Sequence, residues 1–74
     1  MSDITNYENL ANAIILQAVK DYREALKRLK RNPADRQGLT DKAEIESFFH
    51  SGWYGHLTKL DPDMLIRKLN EEVK

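Results

Sequence analysis

Cysteine is absent from the 74 residues, so no disulfide framework holds this chain, and a thiolate-based structural zinc site is excluded. Glycine and proline are scarce, at three and two residues, which leaves few interruptions for a helical pattern. The longest apolar run is Ala13-Ile14-Ile15-Leu16, far short of the roughly 20 residues that span a bilayer. No basic stretch leads into an apolar one near the N-terminus, so neither a signal peptide nor membrane association is expected, and the expected location is cytoplasmic. Net charge is lacking too. Twelve Lys+Arg balance 12 Asp+Glu, which argues against a protein that simply coats nucleic acid. Balanced charge with 41% hydrophobic residues favours collapse over disorder.

What remains is a single soluble domain over residues 1–74, mostly helical. A chain of this size buries only about 60% of its unfolded surface. A deep, water-excluded active site would compete with the core for the same few side chains. Small helical chains gain the missing burial by pairing with themselves or with a partner. Size therefore favours a binding module over an enzyme.

Apolar residues at Tyr7, Ala11, Ile14, Ala18, Tyr22, Ala25 and Leu29 recur at gaps of three and four, the helical period. A second line of Ile15, Val19, Tyr22, Leu26 and Leu29 widens the stripe. The pattern predicts one long helix from about Tyr7 to Lys30, capped by Asn6 and stopped before Asn32-Pro33. Asp41 with Glu44 resembles a capping box and predicts a second helix over Asp41–His50, with a start as early as Ala34 open. Ser51 caps a short helical turn carrying Trp53, Tyr54 and Leu57. Asp61-Pro62-Asp63 opens a final helix with Met64, Leu65, Ile66, Leu69 and Val73 on its apolar face. The expected architecture is an all-α, compact three-helix bundle with one additional helical turn.

Charge is distributed unevenly. Lys20, Arg23, Lys27, Arg28, Lys30, Arg31 and Arg36 against Asp21, Glu24 and Asp35 give residues 20–36 a net +4. Residues 1–19 and 37–74 each carry −2. On a helical wheel Lys20, Arg23, Lys27, Lys30 and Arg31 form one ridge opposite the apolar stripe. Such a ridge suits phosphates or an acidic partner. It equally suits the helix dipole and a soluble surface, with Asp21 and Glu24 near enough to pair with some of the bases. No groove-reading motif accompanies it. Leu16, with Asn12 and Ala13, lies on this polar side and is either an isolated exposed leucine or a contact for a second subunit.

Phe48-Phe49-His50-Ser51-Gly52-Trp53-Tyr54 concentrates the aromatics. They cannot all face one core, so Trp53 and one phenylalanine are expected to anchor it while Tyr54 and Phe49 stay partly exposed. His50 and His56 do not match the i, i+4 spacing of a shared metal on a helix and are expected at the surface or at helix ends. Ser47, Ser51 and Thr58 carry no nucleophile motif, and no phosphate-cradling glycine loop exists. No catalytic, cofactor-binding or metal-ligating residue is assigned.

Three segments, Tyr7-Glu8-Asn9-Leu10-Ala11-Asn12-Ala13-Ile14-Ile15-Leu16-Gln17-Ala18-Val19-Lys20-Asp21-Tyr22-Arg23, Ile45-Glu46-Ser47-Phe48-Phe49-His50-Ser51-Gly52-Trp53-Tyr54 and Leu57-Thr58-Lys59-Leu60-Asp61, cover most of the chain. In this order they resemble small uncharacterised proteins encoded on phages and conjugative elements of Gram-positive bacteria. The chain departs from that pattern at Gly52, where an acidic residue is usual, and near Gly38, where the connection is often more helix-friendly. The resemblance implies a mobile-element protein of a bacterial cytoplasm, with no activity or catalytic residue to carry over. Proteins of that setting regulate transcription, accompany DNA processing or inhibit a host protein. The expected function is therefore a non-enzymatic accessory or regulatory protein that binds a protein partner through Leu16, Phe49, Trp53 and Tyr54, with a homodimer as one form. One alternative is nucleic-acid binding through the basic ridge; another is inhibition of a host defence protein.

Overall fold

The computed structural model describes residues 3–74, with side chains described from Glu8 onward. Four helices follow one another: α1 (Asp3–Arg31), α2 (Arg36–Phe49), α3 (Gly52–Leu57) and α4 (Pro62–Val73). No strand occurs among the described residues. At about 1.5 Å per residue the 29-residue α1 is about 44 Å long, and it sets the long axis of a molecule measuring 47 × 20 × 19 Å. The radius of gyration is 13.6 Å, against about 11 Å for a compact domain of this length. That excess is the length of α1.

α1 buries Ala11, Ile15, Val19, Tyr22, Ala25 and Leu26, the stripe that the three-four spacing marks out. It is already helical at Asp3, so Asn6 is an interior residue and not the cap. Asn32-Pro33 ends it. The Asn32 side chain accepts from the Ala34 N–H at 3.1 Å, which holds the turn. Asp35 then caps α2, accepting from the Gly38 N–H at 2.9 Å. α2 thus starts at Arg36, ahead of Asp41 and close to the earlier start near Ala34 that the sequence left open, because Gly38 is no helix breaker here. It lies in the first turn, where a Cβ would meet Leu29 Cγ and Cδ2 at 3.1 Å. Its missing side chain lets α2 lie close on α1. Asp41 is an interior residue of α2 and accepts from Gln37 at 2.8 Å, one turn back.

Ser51 caps α3, accepting from the Tyr54 N–H at 3.2 Å and donating to the Phe48 carbonyl at 2.6 Å. Asp61 caps α4 and Pro62 stands in its first turn, as those residue types predict. α2, α3 and α4 all pack on α1, and α3 also packs on α2. The core is aromatic at its centre. Tyr22 and Phe49 are fully buried with ring centroids 5.6 Å apart, edge to face, and Tyr54 meets Phe49 at 5.7 Å. Leu69 of α4 closes the other side.

A polar network joins three helices beside this core. The Tyr22 hydroxyl donates to Glu46 Oε2 at 2.5 Å, Lys42 Nζ donates to the same oxygen at 2.7 Å, and Asn70 Nδ2 donates to Tyr22 Oη at 3.1 Å. Burial opposes the charge on Glu46, yet the bonds from Lys42 and Tyr22 outweigh it and hold the carboxyl below its usual range. Burial, with the Glu46 carboxylate as acceptor, pushes the Tyr22 hydroxyl up to about 12.

Candidate functional site

The expected aromatic contacts divide into buried and exposed residues, and the division is a correction. Phe49 is fully buried and Tyr54 is 2% exposed, so neither offers a contact surface. Trp53, expected in the core, is 55% exposed. The reason is the break between helices at Ser51. It starts a new helix whose phase turns Tyr54 inward against Phe48 and Phe49. Trp53, one residue back and about 100° round the helix, then points away. Tyr54 Oη is buried with no hydrogen-bond partner among the described residues, so packing against the phenylalanines holds the ring.

Trp53 borders a small apolar cleft with Leu10, Ala11, Ile14 and Leu57. Leu10 is 61% exposed. Further along the same side of α1 lies an open groove of about 350 Å³, lined by Ile14, Gln17, Ala18, Asp21, Ile45 and Phe48. Ile14 belongs to both features. The two form one apolar face that runs from Trp53 and Leu10 to Ile45, with Gln17 and Asp21 as its polar members. Continuous exposed apolar surface of this kind marks contact sites on small soluble proteins. Sequence reasoning missed Leu10, Ile45 and Phe48 as surface contacts. The signal was the spacing of Leu10, Ile14, Gln17 and Asp21, which follows one edge of the core stripe.

Leu16 is 67% exposed. Two helical residues from Ile14, it points to the opposite side of α1, beside Lys20 and Lys27. It therefore shares no surface with Trp53.

The basic ridge is partly covered. Arg23 makes a two-pronged pair with Glu72 of α4, at 2.7 and 3.1 Å. This bond holds the Glu72 carboxyl below its usual range and raises the Arg23 guanidinium. Lys30 Nζ donates to the Lys74 carbonyl at 2.9 Å. Lys27 lies 3.7 Å from Glu24. Lys20 and Arg31 are exposed. The expectation of a fully solvent-facing ridge is corrected at Arg23 and Lys30, because α4 lies along that edge of α1 and brings its own carboxylate and C-terminal backbone to them.

His50 caps α2 and links it to α4. Its Nδ1 lies 3.0 Å from the Glu46 carbonyl and its Nε2 lies 2.8 Å from Asp63 Oδ1. Both partners are acceptors, so only the imidazolium satisfies both at once. Ser51, next in sequence, uses its hydroxyl in the α3 cap. Both side chains are thus engaged in helix-end geometry. Among the described residues no group of three or more His, Asp and Glu is arranged to hold a metal ion. No helix there is long and apolar enough to cross a membrane.

No protein-family model, curated protein or solved structure matches this chain.

Proposed function

We propose that this chain is a non-enzymatic binding protein, an accessory or regulatory protein of a phage-like mobile element, that engages a protein partner through the apolar face around Ile14 and Trp53. The observation that carries this reading is the exposure of Trp53 and Leu10 beside an open apolar groove on one side of α1. Large aromatic anchors next to a pocket are what protein contacts concentrate their energy on. The three long helices serve as a rigid bundle that presents this face. Inhibition of a host defence protein would use the same surface. The test is capture of a partner from host-cell lysate by the immobilised chain. Trp53→Ser abolishes capture while the circular dichroism spectrum and Tm stay unchanged. Capture that survives the substitution overturns the reading.

Nucleic-acid binding through the ridge is the second reading, favoured by the exposure of Lys20, Lys27 and Arg31. The Arg23–Glu72 pair supplies its test. Glu72→Gln releases a guanidinium, and each added phosphate contact steepens the salt dependence of log K by about 0.9. Anisotropy of a labelled duplex at low salt reads this directly. Tighter, more salt-sensitive binding by the variant supports the second reading, and no binding by either protein removes it.

A further inference from the structure

We propose that the groove between α1 and α2 receives a basic amphipathic helix of the partner protein, with its apolar side chains in the groove and its lysine or arginine side chains at one end. The proposal rests on the reading of that face as a protein-contact surface and names the chemistry of the partner. The groove does not stop at Ile45. A second hollow continues it between the two helices, sharing Asp21 and Ile45 with it and lined further by Glu24, Arg28, Asp41 and Glu44. Four carboxylates meet one base there, and Arg28 is already 3.5 Å from Asp35. Asp21 accepts from Gln17 at 2.9 Å and Asp41 from Gln37 at 2.8 Å. Neutral amides thus position both carboxylates and leave their charge uncompensated. Among the described residues no base lies within ion-pair distance of Asp21, Asp41 or Glu44. Glu24 has Lys27 at 3.7 Å, in an exposed pair that water screens.

The furrow therefore has an apolar end at Trp53 and Leu10, an apolar middle at Ile14, Ala18, Ile45 and Phe48, and an acidic end. Between Leu10 and Glu24, α1 advances about 21 Å, or about four helical turns. Charge complementarity selects bases at the acidic end and disfavours a phosphate backbone or an anionic lipid surface there. The walls are helices, and no strand edge occurs among the described residues. A segment laid in the furrow must therefore pair its own backbone N–H and C=O groups, which a helix does. Apolar side chains at gaps of three and four then enter the groove from one face of that helix.

The probe is a fluorescein-labelled peptide of about 15 residues, long enough for four turns, with leucines at helical spacing and lysines in its final turns. Its reversed sequence covers the opposite direction, and a third peptide carries glutamate in place of lysine. Anisotropy at low salt is expected to show a lysine peptide bound, an affinity that falls with added salt, and binding of the glutamate peptide at least about tenfold weaker. Asp21→Asn combined with Asp41→Asn keeps both acceptors for the glutamines and removes only charge. It weakens the lysine peptide about fivefold, as loss of two exposed ion pairs does, with helicity and Tm unchanged. Failure of both lysine peptides to bind, or equal binding of the lysine and glutamate peptides, overturns the basic helix. Capture from lysate that still depends on Trp53 would then leave the contact role of the face standing. Self-association through Trp53 that shuts out the lysine peptides overturns the proposal in favour of a second copy of this chain.

Discussion

The Tyr22 hydroxyl donates to the Glu46 carboxylate at 2.5 Å, and this bond ties the middle of the longest helix to α2. Asn70 donates to the same hydroxyl from α4, so one phenolic oxygen coordinates three helices. Tyr22→Phe keeps the ring packed on Phe49 but removes the donor to Glu46 and the acceptor for Asn70. The loss is about 1 kcal/mol, which lowers Tm by about 4–8 °C for a domain of this size. An unchanged Tm would show that water replaces the hydroxyl at no cost. The same bond has an alkaline signature. The folded Tyr22 titrates at about 12 against a usual 10.0. Its contribution to stability is complete below pH 10 and is lost as pH rises toward 12. Ultraviolet titration of wild type and Tyr22→Phe isolates that late-ionising tyrosine.

Gly38 and Gly55 respond oppositely to substitution. A β-carbon at Gly55 meets nothing within 4 Å, while one at Gly38 meets Leu29 at 3.1 Å. Gly55→Ala therefore stabilises by about 0.4–1 kcal/mol through the unfolded state. Gly38→Val forces α2 away from α1 and destabilises by about 1–3 kcal/mol. Thermal melts of the two variants should move in opposite directions. Equal shifts would contradict the close approach of the helices.

His50 confers a pH dependence whose sign follows from its partners. Asp63 chiefly, with the Glu46 carbonyl, raises its pKa above the usual 6.5. The folded state thus binds the proton more tightly than the unfolded one. The stabilisation is complete below about pH 6.5 and is lost as pH rises through the raised value. Tm measured at mildly acidic and mildly alkaline pH should fall for the wild type more than for His50→Gln. Identical pH profiles would show that the His50–Asp63 contact adds nothing.

Ser51 separates α2 from α3, and its hydroxyl serves both helix ends. Ser51→Ala removes the cap of α3 at a cost of about 1 kcal/mol. Because α3 carries both Tyr54 and Trp53, fraying should also change the Trp53 emission. A lowered Tm with an unaltered emission spectrum would mean that α3 stays docked without its cap.

Local chemistry written in the chain gave its elements. The three-four recurrence from Ala11 to Leu29 set α1 and the buried stripe, since only a helix gathers such spacing on one side. Asn32-Pro33, Ser51 and Asp61-Pro62 marked their breaks because capping and the geometry before proline act over three or four residues. Gly38 read as an interruption for the same local reason. Only the Leu29 side chain across the helix pair explains why glycine stands inside α2.

Tertiary structure decided which side chains meet. Phe49, Trp53 and Tyr54 stand within six residues of one another in the sequence; the end of α2 carries Phe49 into the core, and the phase of the six-residue α3 on α1 buries Tyr54 and leaves Trp53 at the surface. Arg23 and Lys30 belonged to a free ridge until α4 folded back and brought Glu72 and the Lys74 carbonyl to them. Periodicity fixes the faces of each helix because it depends on neighbours in the chain. Which faces are covered depends on contacts between residues far apart in sequence, whose packing no local pattern encodes.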